Sequence, residues 1–285
     1  MRFREIFRGR KMTLQLVGKD EPIGKYQEFY GPPTEQMPKL IELGHNPVSV
    51  AEIIKRRLYA PEDVIDNWRA NSFFTGDGIV YDGQGNAKIV LDSALLREIS
   101  PKTKLDHNAA VLSIDQWEDL HSFDILYLNA DKVRKCYKKG FIKKGGIWQP
   151  ENIVVGDVWK SISRVNDLKD LQDYAERVHE ASGGDKVMQL WFDDRNTSFS
   201  PIMRSLIVNG VDLRSSVYLH HPLNLYYYGR LAGVVPETPR ERCGRKQGTA
   251  GTSPYRETDV GSDLEERLEP LPENKPWYKR MLGLK

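Results

Sequence analysis

The stretch of residues 73–99, FFTGDGIVYDGQGNAKIVLDSALLREI, constrains the fold more than any other part of this 285-residue chain. It holds two short apolar runs, residues 78–81 and 87–91, on either side of the turn sequence DGQGN. Because glycine and asparagine accept positive φ, these turn residues can reverse the chain, and the pattern predicts a β-hairpin. Residues 94–98 then have the pattern of a short helix, for which either Asp92 or Ser93 can serve as the N-cap.

Helix and strand patterns follow one another irregularly through most of the chain, which is typical of an α+β protein. Ser49 and Glu52 fit the capping box of one helix, and apolar residues at helical spacing predict the longest helix at residues 168–181. Strands are predicted at residues 186–192, 216–219 and 225–228, and a further helix at residues 201–208. The expected fold class is therefore α+β, a single mixed domain with a central β-hairpin and several amphipathic helices.

The two ends of the chain differ in character from the predicted domain, which spans residues 12–235. Residues 1–11 form a basic N-terminal arm, and the whole segment up to residue 46 is expected to lie on the domain as an arm. Residues 236–285 are rich in proline, glycine, serine, threonine and mixed charge, with few large apolar side chains. Such a segment cannot bury enough surface to offset its chain entropy, so a disordered polar C-terminal tail is predicted.

Composition sets broad limits on the compartment and on the partners. The net charge of +2 favours no particular class of partner, and the two cysteines, Cys136 and Cys243, give no disulfide framework. Few cysteines fit a reducing compartment. No apolar run approaches the ~20 residues that a membrane helix needs, and the basic N-terminus lacks the apolar core of a secretory signal. We therefore expect a soluble cytoplasmic protein with no membrane partner.

A basic segment in the middle of the chain is the first candidate site. Cations neutralise phosphates and aromatic rings stack on bases, and here Tyr137, Phe141 and Trp148 are interleaved with the cations. This pattern favours binding to nucleic acid or to an acidic protein. The alternative is a solvated helix end, where cations complement the helix dipole. The seven cations fall within thirteen residues: Lys132, Arg134, Lys135, Lys138, Lys139, Lys143 and Lys144.

Carboxylates form the second candidate site. Asp92 follows a predicted strand, Glu118 lies on a predicted helix, and Asp193 and Asp194 follow another predicted strand. If those strands are parallel neighbours, the carboxylates gather at one edge of the sheet. Clustered carboxylates suit Mg²⁺ or Mn²⁺, which stabilise the attacking and leaving oxygens in phosphodiester hydrolysis. Alternatively, Asp92 caps a helix and the other acids are unrelated surface groups.

The order of these segments resembles that of the PIN-domain nucleases. IVLDSALL resembles their opening strand and first acid, LSIDQWEDL the strand and helix that bear the second, and LWFDD the strand that bears the last pair. The resemblance covers roughly residues 89–195. It implies a metal-dependent nuclease acting on RNA or DNA, with Asp92, Glu118, Asp193 and Asp194 as ligands of Mg²⁺ or Mn²⁺. The chain departs from the family pattern, because Asp92 follows the second arm of a hairpin and residues 122–166 are a long insert.

Other catalytic signatures are missing from the sequence. There is no G-x-S-x-G elbow, and the glycines of TGDG and DGQGN match neither a Walker loop nor a dinucleotide fingerprint. Cys136 lies in a lysine-rich helix, where its pKa could be lowered, but a small buried thiol is the alternative. The hypothesis is a non-enzymatic binding protein, without metal or cofactor, that contacts nucleic acid or an acidic partner through residues 132–144. The alternative function is the metal-dependent nuclease.

Overall fold

A mixed β-sheet runs through the part of the chain that the structure describes. The structure is a computed structural model and describes residues 14–22, 24–120, 125–192, 199–219 and 224–236. Its strands are β1 (Tyr26–Gly31), β2 (Asn46–Pro47), β3 (Phe73–Tyr81), β4 (Ala87–Val90), β5 (Leu105–Asp106), β6 (Ala109–Val111), β7 (Ile125–Leu128), β8 (Lys139–Lys144), β9 (Ile147–Pro150), β10 (Lys186–Phe192), β11 (Ile202–Val208), β12 (Val217–Leu219) and β13 (Gly229–Val234).

The described helices are mostly short and amphipathic. None of them is long and apolar enough to cross a membrane. Two 3₁₀ turns, Leu168–Leu171 and Val211–Leu213, accompany them. The α-helices are α1 (Pro33–Glu42), α2 (Val50–Tyr59), α3 (Glu62–Ala70), α4 (Ala94–Arg97), α5 (Ile114–Glu118), α6 (Ala130–Cys136), α7 (Ile153–Ser163) and α8 (Gln172–Ser182).

Strand directions in the sheet are mixed. The main path across it has the order β1-β13-β3-β11-β12-β10-β8-β9. β3 lies parallel to β13 and antiparallel to β11, while β10 lies parallel to β12 and antiparallel to β8. β4 pairs antiparallel with both β3 and β7. The mixed sheet with flanking helices agrees with the expected α+β class.

The predicted hairpin is present as β3 and β4. Tyr81 pairs with Ala87 and Gly78 with Val90, and the side chain of Asp82 accepts the N–H groups of Gln84 and Asn86 to close the turn. β3 begins five residues before the predicted strand, at Phe73, and all nine of its residues are buried. The hairpin therefore lies inside the sheet, covered on both faces.

Each face of the sheet carries its own hydrophobic core. In β3, Ile79 faces the first core and Val80 the second, as the alternation of a strand requires. Buried residues of α2, α3, α7 and α8 complete the first core, and those of α1 and α4 belong to the second. The second core is the smaller of the two.

Residues 202–208 form a strand, where the sequence predicts a helix at residues 201–208. Ile202 and Leu206 of β11 lie in the first core, whereas Met203 and Ile207 lie in the second. A strand that is buried on both faces has a continuous apolar run, and periodicity alone does not distinguish such a run from a buried helix. The central position of β11 in the sheet decided the outcome.

Residues 225–228 form a turn and not the predicted strand. The N–H of Tyr227 donates to the carbonyl of Asn224 at 2.7 Å, and the strand β13 begins only at Gly229. Three consecutive tyrosines have high strand propensity, but the turn was decided by tertiary contacts: Asn224 is fully buried and hydrogen-bonds to the backbone of Ser205 in β11.

Residues 26–42 belong to the folded domain and do not form the predicted arm on its surface. β1 pairs with β13 along six residue pairs, and Met37 and Leu40 of α1 are buried in the second core. All described residues belong to one compact unit. The predicted basic arm, residues 1–11, and nearly all of the predicted tail, from residue 237 onward, lie outside the described residues.

Candidate binding surface

The seven predicted cations are all exposed and lie on α6, on β8 and on the loop between them. Asn129 starts α6 by accepting the N–H of Lys132 at 3.0 Å, and the helix ends where Tyr137 leaves helical geometry. Lys138 then adopts a left-handed conformation, with φ of 56°, and its N–H donates to the carbonyl of Leu190 in β10. The turn therefore places Lys138 against β10.

Acidic neighbours neutralise three of these cations. Arg134 pairs with Asp131, Lys139 with Glu151 at 3.4 Å, and Lys143 with Glu176 at 2.8 Å. Within the described part of the chain, no carboxylate lies within 4.0 Å of the side-chain nitrogen of Lys132, Lys135, Lys138 or Lys144. The basic segment therefore offers four cations to an anionic partner.

Two of the three interleaved aromatic residues are unavailable for stacking. Phe141 is fully buried and packs edge-on against Trp159, with ring centroids 6.3 Å apart. Trp148 is buried, and its indole N–H donates to Glu176 at 2.7 Å. Only Tyr137 is half-exposed. The sequence predicted a ligand-stacking role for rings that the fold uses in its core.

Other aromatic residues, distant in sequence, join Tyr137 and form what we call the aromatic row: Tyr137, Trp191 and Tyr218. Trp191 and Tyr218 stack with ring centroids 5.5 Å apart and planes 7° apart, and Tyr137 meets Trp191 edge-on at 6.3 Å. The Lys138 ammonium lies 4.8 Å from the Tyr137 ring centroid and 5.1 Å from that of Trp191. All three rings are half-exposed.

The register of the sheet explains why the row is only half-buried. Trp191 pairs with Tyr218, Tyr218 with Ile207, and Ile207 with Phe74, so the four side chains share one face. The second core buries Phe74 and Ile207 but covers Tyr218 only in part. Burial raises the pKa of the Tyr218 phenol, and a hydrogen bond with Asn209 opposes that shift. The row therefore lies where the second core ends.

The hairpin of β8 and β9 is held firmly beneath the basic segment. A Cβ on Gly140 would lie 2.4 Å from the carbonyl oxygen of Val187, so glycine is required for β8 to approach β10. The Gly140 N–H donates to the Glu151 carboxylate at 2.8 Å, and the Glu151 N–H donates back to the Gly140 carbonyl at 2.9 Å. These contacts hold the start of β8, next to Lys138 and Lys139, against β10 and Glu151.

A second exposed surface, which we call the tyrosine patch, consists of Tyr30, Tyr226, Tyr227 and Tyr228. The last three side chains are 65%, 45% and 63% exposed. Tyr30 and Tyr228 have ring centroids 6.3 Å apart, and the Arg230 guanidinium lies 5.5 Å from the Tyr30 centroid. The sequence signal for this patch is the YYY run at residues 226–228, whose strand propensity predicts a strand.

Asp92, the first of the four predicted carboxylates, pairs with a neighbouring arginine, and its strand is not parallel to β10. Ser93, and not Asp92, caps α4 by accepting the Leu96 N–H at 3.3 Å, while Asp92 pairs with Arg97. The strand that precedes Asp92, β4, is antiparallel to β3, and the chain of pairings through β11 and β12 makes β4 antiparallel to β10 as well. Their C-terminal ends therefore do not meet at one edge.

The described residues contain no group of three or more histidine, cysteine or carboxylate side chains that could hold a metal ion. Glu118 lies on α5, and Asp193 and Asp194 lie outside the described residues. The condition that supported the nuclease alternative, acids on parallel neighbouring strands, is not met by β4 and β10.

Cys136 is fully buried in α6. Burial raises the pKa of its thiol to about 12, and the negative charge of Asp157 adds to the shift. The lysines of α6 do not lower this pKa, because they point outward while the thiol lies in the first core. Cys136 is therefore a packing residue at neutral pH.

Comparison with known proteins identifies the fold. The chain matches no protein-family profile and no curated protein sequence. A solved structure matches with a TM-score of 0.52 and 18% identity. Its description reads "Accommodation of massive sequence variation in Nanoarchaeota by the C-type lectin fold". The match covers 73% of this chain and 97% of that one. At this identity the likeness is one of fold.

Proposed function

We propose that this protein is a non-enzymatic binding protein that takes single-stranded nucleic acid on the aromatic row and its adjacent cations. The observation that carries the proposal is the position of the Lys138 ammonium, 4.8 and 5.1 Å from the centroids of two half-exposed rings. A cation beside exposed rings pairs with a phosphate while a base contacts the rings.

Charge and stiffness both support this choice of ligand. Lys132, Lys135 and Lys144 supply further cations with no carboxylate partner among the described residues. Such cations release counterions from a phosphate backbone when they bind it. Because Trp191 and Tyr218 lie on paired strands and stack on each other, little entropy of these two side chains remains to be lost on binding.

The fold comparison is consistent with a binding role. In the Nanoarchaeota protein, the C-type lectin fold accommodates massive sequence variation. A framework that tolerates variation keeps its core while its surface residues change, and that is the requirement for a binding scaffold. The shared framework is compatible with a binding role, which the rings and cations of the surface support.

The proposal is tested by titrating the full chain with a fluorescent single-stranded oligonucleotide at several salt concentrations. We expect affinity to fall steeply with salt and to survive EDTA. Lys138→Gln should weaken binding and reduce the salt slope by about 1, because one phosphate contact is lost. Tyr137→Leu should weaken binding by about 1–3 kcal/mol with the slope unchanged, because a stacking ring is lost.

Lys55→Gln is the matched control, because Lys55 is an exposed lysine on α2, which packs against the opposite face of the sheet. It should leave binding unchanged. Absence of salt-dependent binding would contradict the proposal. Binding of a polyglutamate peptide without binding of the oligonucleotide would show that the ligand is an acidic protein and not nucleic acid. Mn²⁺-dependent cleavage that disappears in Asp92→Asn would restore the nuclease alternative.

The tyrosine patch favours a second candidate function, recognition of a protein surface. Tyrosine supplies a large amphipathic contact area at low entropic cost, and four exposed tyrosines beside Arg230 are more than scattered surface residues. The two functions separate experimentally. Tyr228→Ser should abolish a protein contact and leave oligonucleotide binding unchanged, whereas Lys138→Gln should do the reverse.

A further inference from the structure

A separate cavity lies between β4, β7 and α5. Its volume is about 450 Å³, within the range of small-ligand sites. Lys88 and Tyr127 form a cross-strand pair on its floor, and α5 supplies its wall. The described residues that line it are Asp82, Lys88, Trp117, Glu118, Leu120, Ile125 and Tyr127.

Lys88 is the unusual residue in this cavity, because its side chain is charged and only 7% of the residue is exposed. Its ammonium donates to the carbonyl oxygen of Trp117 at 2.6 Å and lies 4.3 Å from the centroid of the Trp117 ring. An ammonium has three N–H donors. Within the described part of the chain, the other two have no protein acceptor.

Two carboxylates line the same cavity, but only one is available to a ligand. Asp82 accepts from the N–H groups of Gln84 and Asn86 and from the Asn86 side-chain amide, so its oxygens are used within the hairpin turn. Glu118 is exposed and has no hydrogen bond or ion pair with any described residue. Burial lowers the pKa of Lys88, and the charges of Glu118 and Asp82 oppose that shift.

The uncharged part of the lining is apolar and aromatic. Leu120 and Ile125 are half-buried and pack against the second core, and the Tyr127 ring is 51% exposed beside them. This lining suits an apolar group of a few carbon atoms or a single ring. The cavity thus combines a buried donor, a free carboxylate and an apolar wall.

We propose that this cavity binds a small zwitterion, an α-amino acid with an apolar side chain. The ligand carboxylate accepts from the two available donors of Lys88, the ligand ammonium pairs with Glu118, and the apolar side chain packs against Leu120, Ile125 and Tyr127. A simple anion meets two carboxylates in the lining, and a simple cation meets the Lys88 ammonium. A ligand that carries both charges avoids both repulsions.

The test uses calorimetry on the full chain with L-leucine, L-phenylalanine and L-tryptophan as probes. At least one should bind, and its analogues should bind at least about tenfold more weakly when either charged group is removed, since charged hydrogen bonds contribute roughly 1.5–3 kcal/mol each. For L-phenylalanine the analogues are 3-phenylpropionate, which lacks the ammonium, and phenethylamine, which lacks the carboxylate. The proposal is overturned if none of the three amino acids binds at a concentration of about 10 mM.

Two variants assign the binding to this cavity. Lys88→Met should weaken binding of the amino acid about tenfold or more and leave phenethylamine unaffected or tighter, because the repelling ammonium is removed. Glu118→Gln, at an exposed position where misfolding is not expected, should weaken the amino acid and spare 3-phenylpropionate. Glu180→Gln, on α8, is the control. Affinities that do not change in either cavity variant would overturn the assignment.

Discussion

Arg57 is fully buried, yet no carboxylate pairs with it among the described residues. Its guanidinium instead donates to five uncharged oxygen atoms. The carbonyl of Trp68 accepts at 2.9 Å and that of Asn71 at 2.8 Å. The remaining acceptors are the hydroxyls of Tyr174 and Ser215, both at 2.9 Å, and the Val208 carbonyl at 3.5 Å. One side chain thus joins α2, α3, α8 and β11.

Arg57→Lys should destabilise the protein by about 3 kcal/mol or more, because an ammonium cannot reach acceptors arranged for a planar fork. Urea unfolding monitored by tryptophan fluorescence measures the change. Lys55→Met, on the exposed side of the same helix, should change stability by less than about 0.5 kcal/mol. Equal effects in the two variants would show that the fork geometry contributes nothing.

Glu151 connects the basic hairpin to the rest of the sheet. Burial tends to raise the pKa of its carboxyl, but the Gly140 N–H and the ammonium groups of Lys186 and Lys139 outweigh burial and lower the pKa below its ordinary value of 4.5. The unfolded chain therefore binds a proton more readily than the folded protein does. Glu151 contributes stability above about pH 4.5, and this contribution is lost as the pH falls below that value.

Glu151→Gln should therefore be less stable than the wild type at pH 7, and the difference should shrink as the pH falls from about 5 to about 3. Urea midpoints measured across this range test the prediction. Glu42→Gln, an exposed residue at the end of α1, should show no such pH-dependent difference. If the difference in stability between Glu151→Gln and the wild type stays constant with pH, titration of the Glu151 carboxyl is not its cause.

At the scale of single elements, β9 forms an edge of the sheet and is protected by a side chain. The outward N–H of Trp148 donates to the Gln172 side-chain oxygen at 2.9 Å, and the Gln172 side-chain amide donates to the Trp148 carbonyl at 2.7 Å. One glutamine amide thus replaces the backbone of a further strand. Unpaired edges template association between chains, and this contact blocks such pairing.

Gln172→Leu should lower stability by about 1–3 kcal/mol, because two backbone groups lose their partners, and should increase self-association at the exposed edge. Urea unfolding and sedimentation velocity measure the two effects. Gln149→Leu is the control, because it adds a similar apolar side chain on the same strand and removes neither hydrogen bond. A monomeric Gln172→Leu variant of unchanged stability would show that the edge is protected by another means.

At the scale of the whole molecule, one sheet separates two cores, and β1 contributes Tyr26 to the first and Phe29 to the second. Phe29 of β1 is buried beside Leu40 and Leu231, and the neighbouring Tyr30 faces outward. Glu28 of the same strand pairs with Arg230 across the β1–β13 ladder. The second core is thus closed in part by Phe29, on a strand that precedes the hairpin by more than forty positions.

Phe29→Ala should therefore destabilise the protein by about 3–5 kcal/mol, the usual cost of removing a buried phenylalanine ring. Tyr30→Ala, the next residue on the other face of the strand, should cost less than about 1 kcal/mol. Thermal and urea unfolding compare the two. A small effect of Phe29→Ala would restore the interpretation of this segment as an arm on the surface.

Local code was sufficient for much of the secondary structure. The hairpin turn at DGQGN, the N-cap at Ser49, the capping box of Ser113 with Gln116 and the strand at residues 186–192 follow from backbone preferences over a few residues. Ser49 accepts the Glu52 N–H at 3.1 Å, as the capping pattern predicts. Such features depend only on residues that are close in sequence, so the sequence alone predicts them.

The sequence by itself determined the α+β class, the central hairpin and the exposed basic segment. It did not determine which rings accompany the cations, because Trp191 and Tyr218 reach Tyr137 only through the register of β10 and β12. Strand order likewise separated Asp92 from the end of β10, and burial removed Phe141 and Trp148 from the surface. The physical reason is that short-range preferences fix local conformation, whereas proximity across a sheet depends on the pairing of strands far apart in the chain.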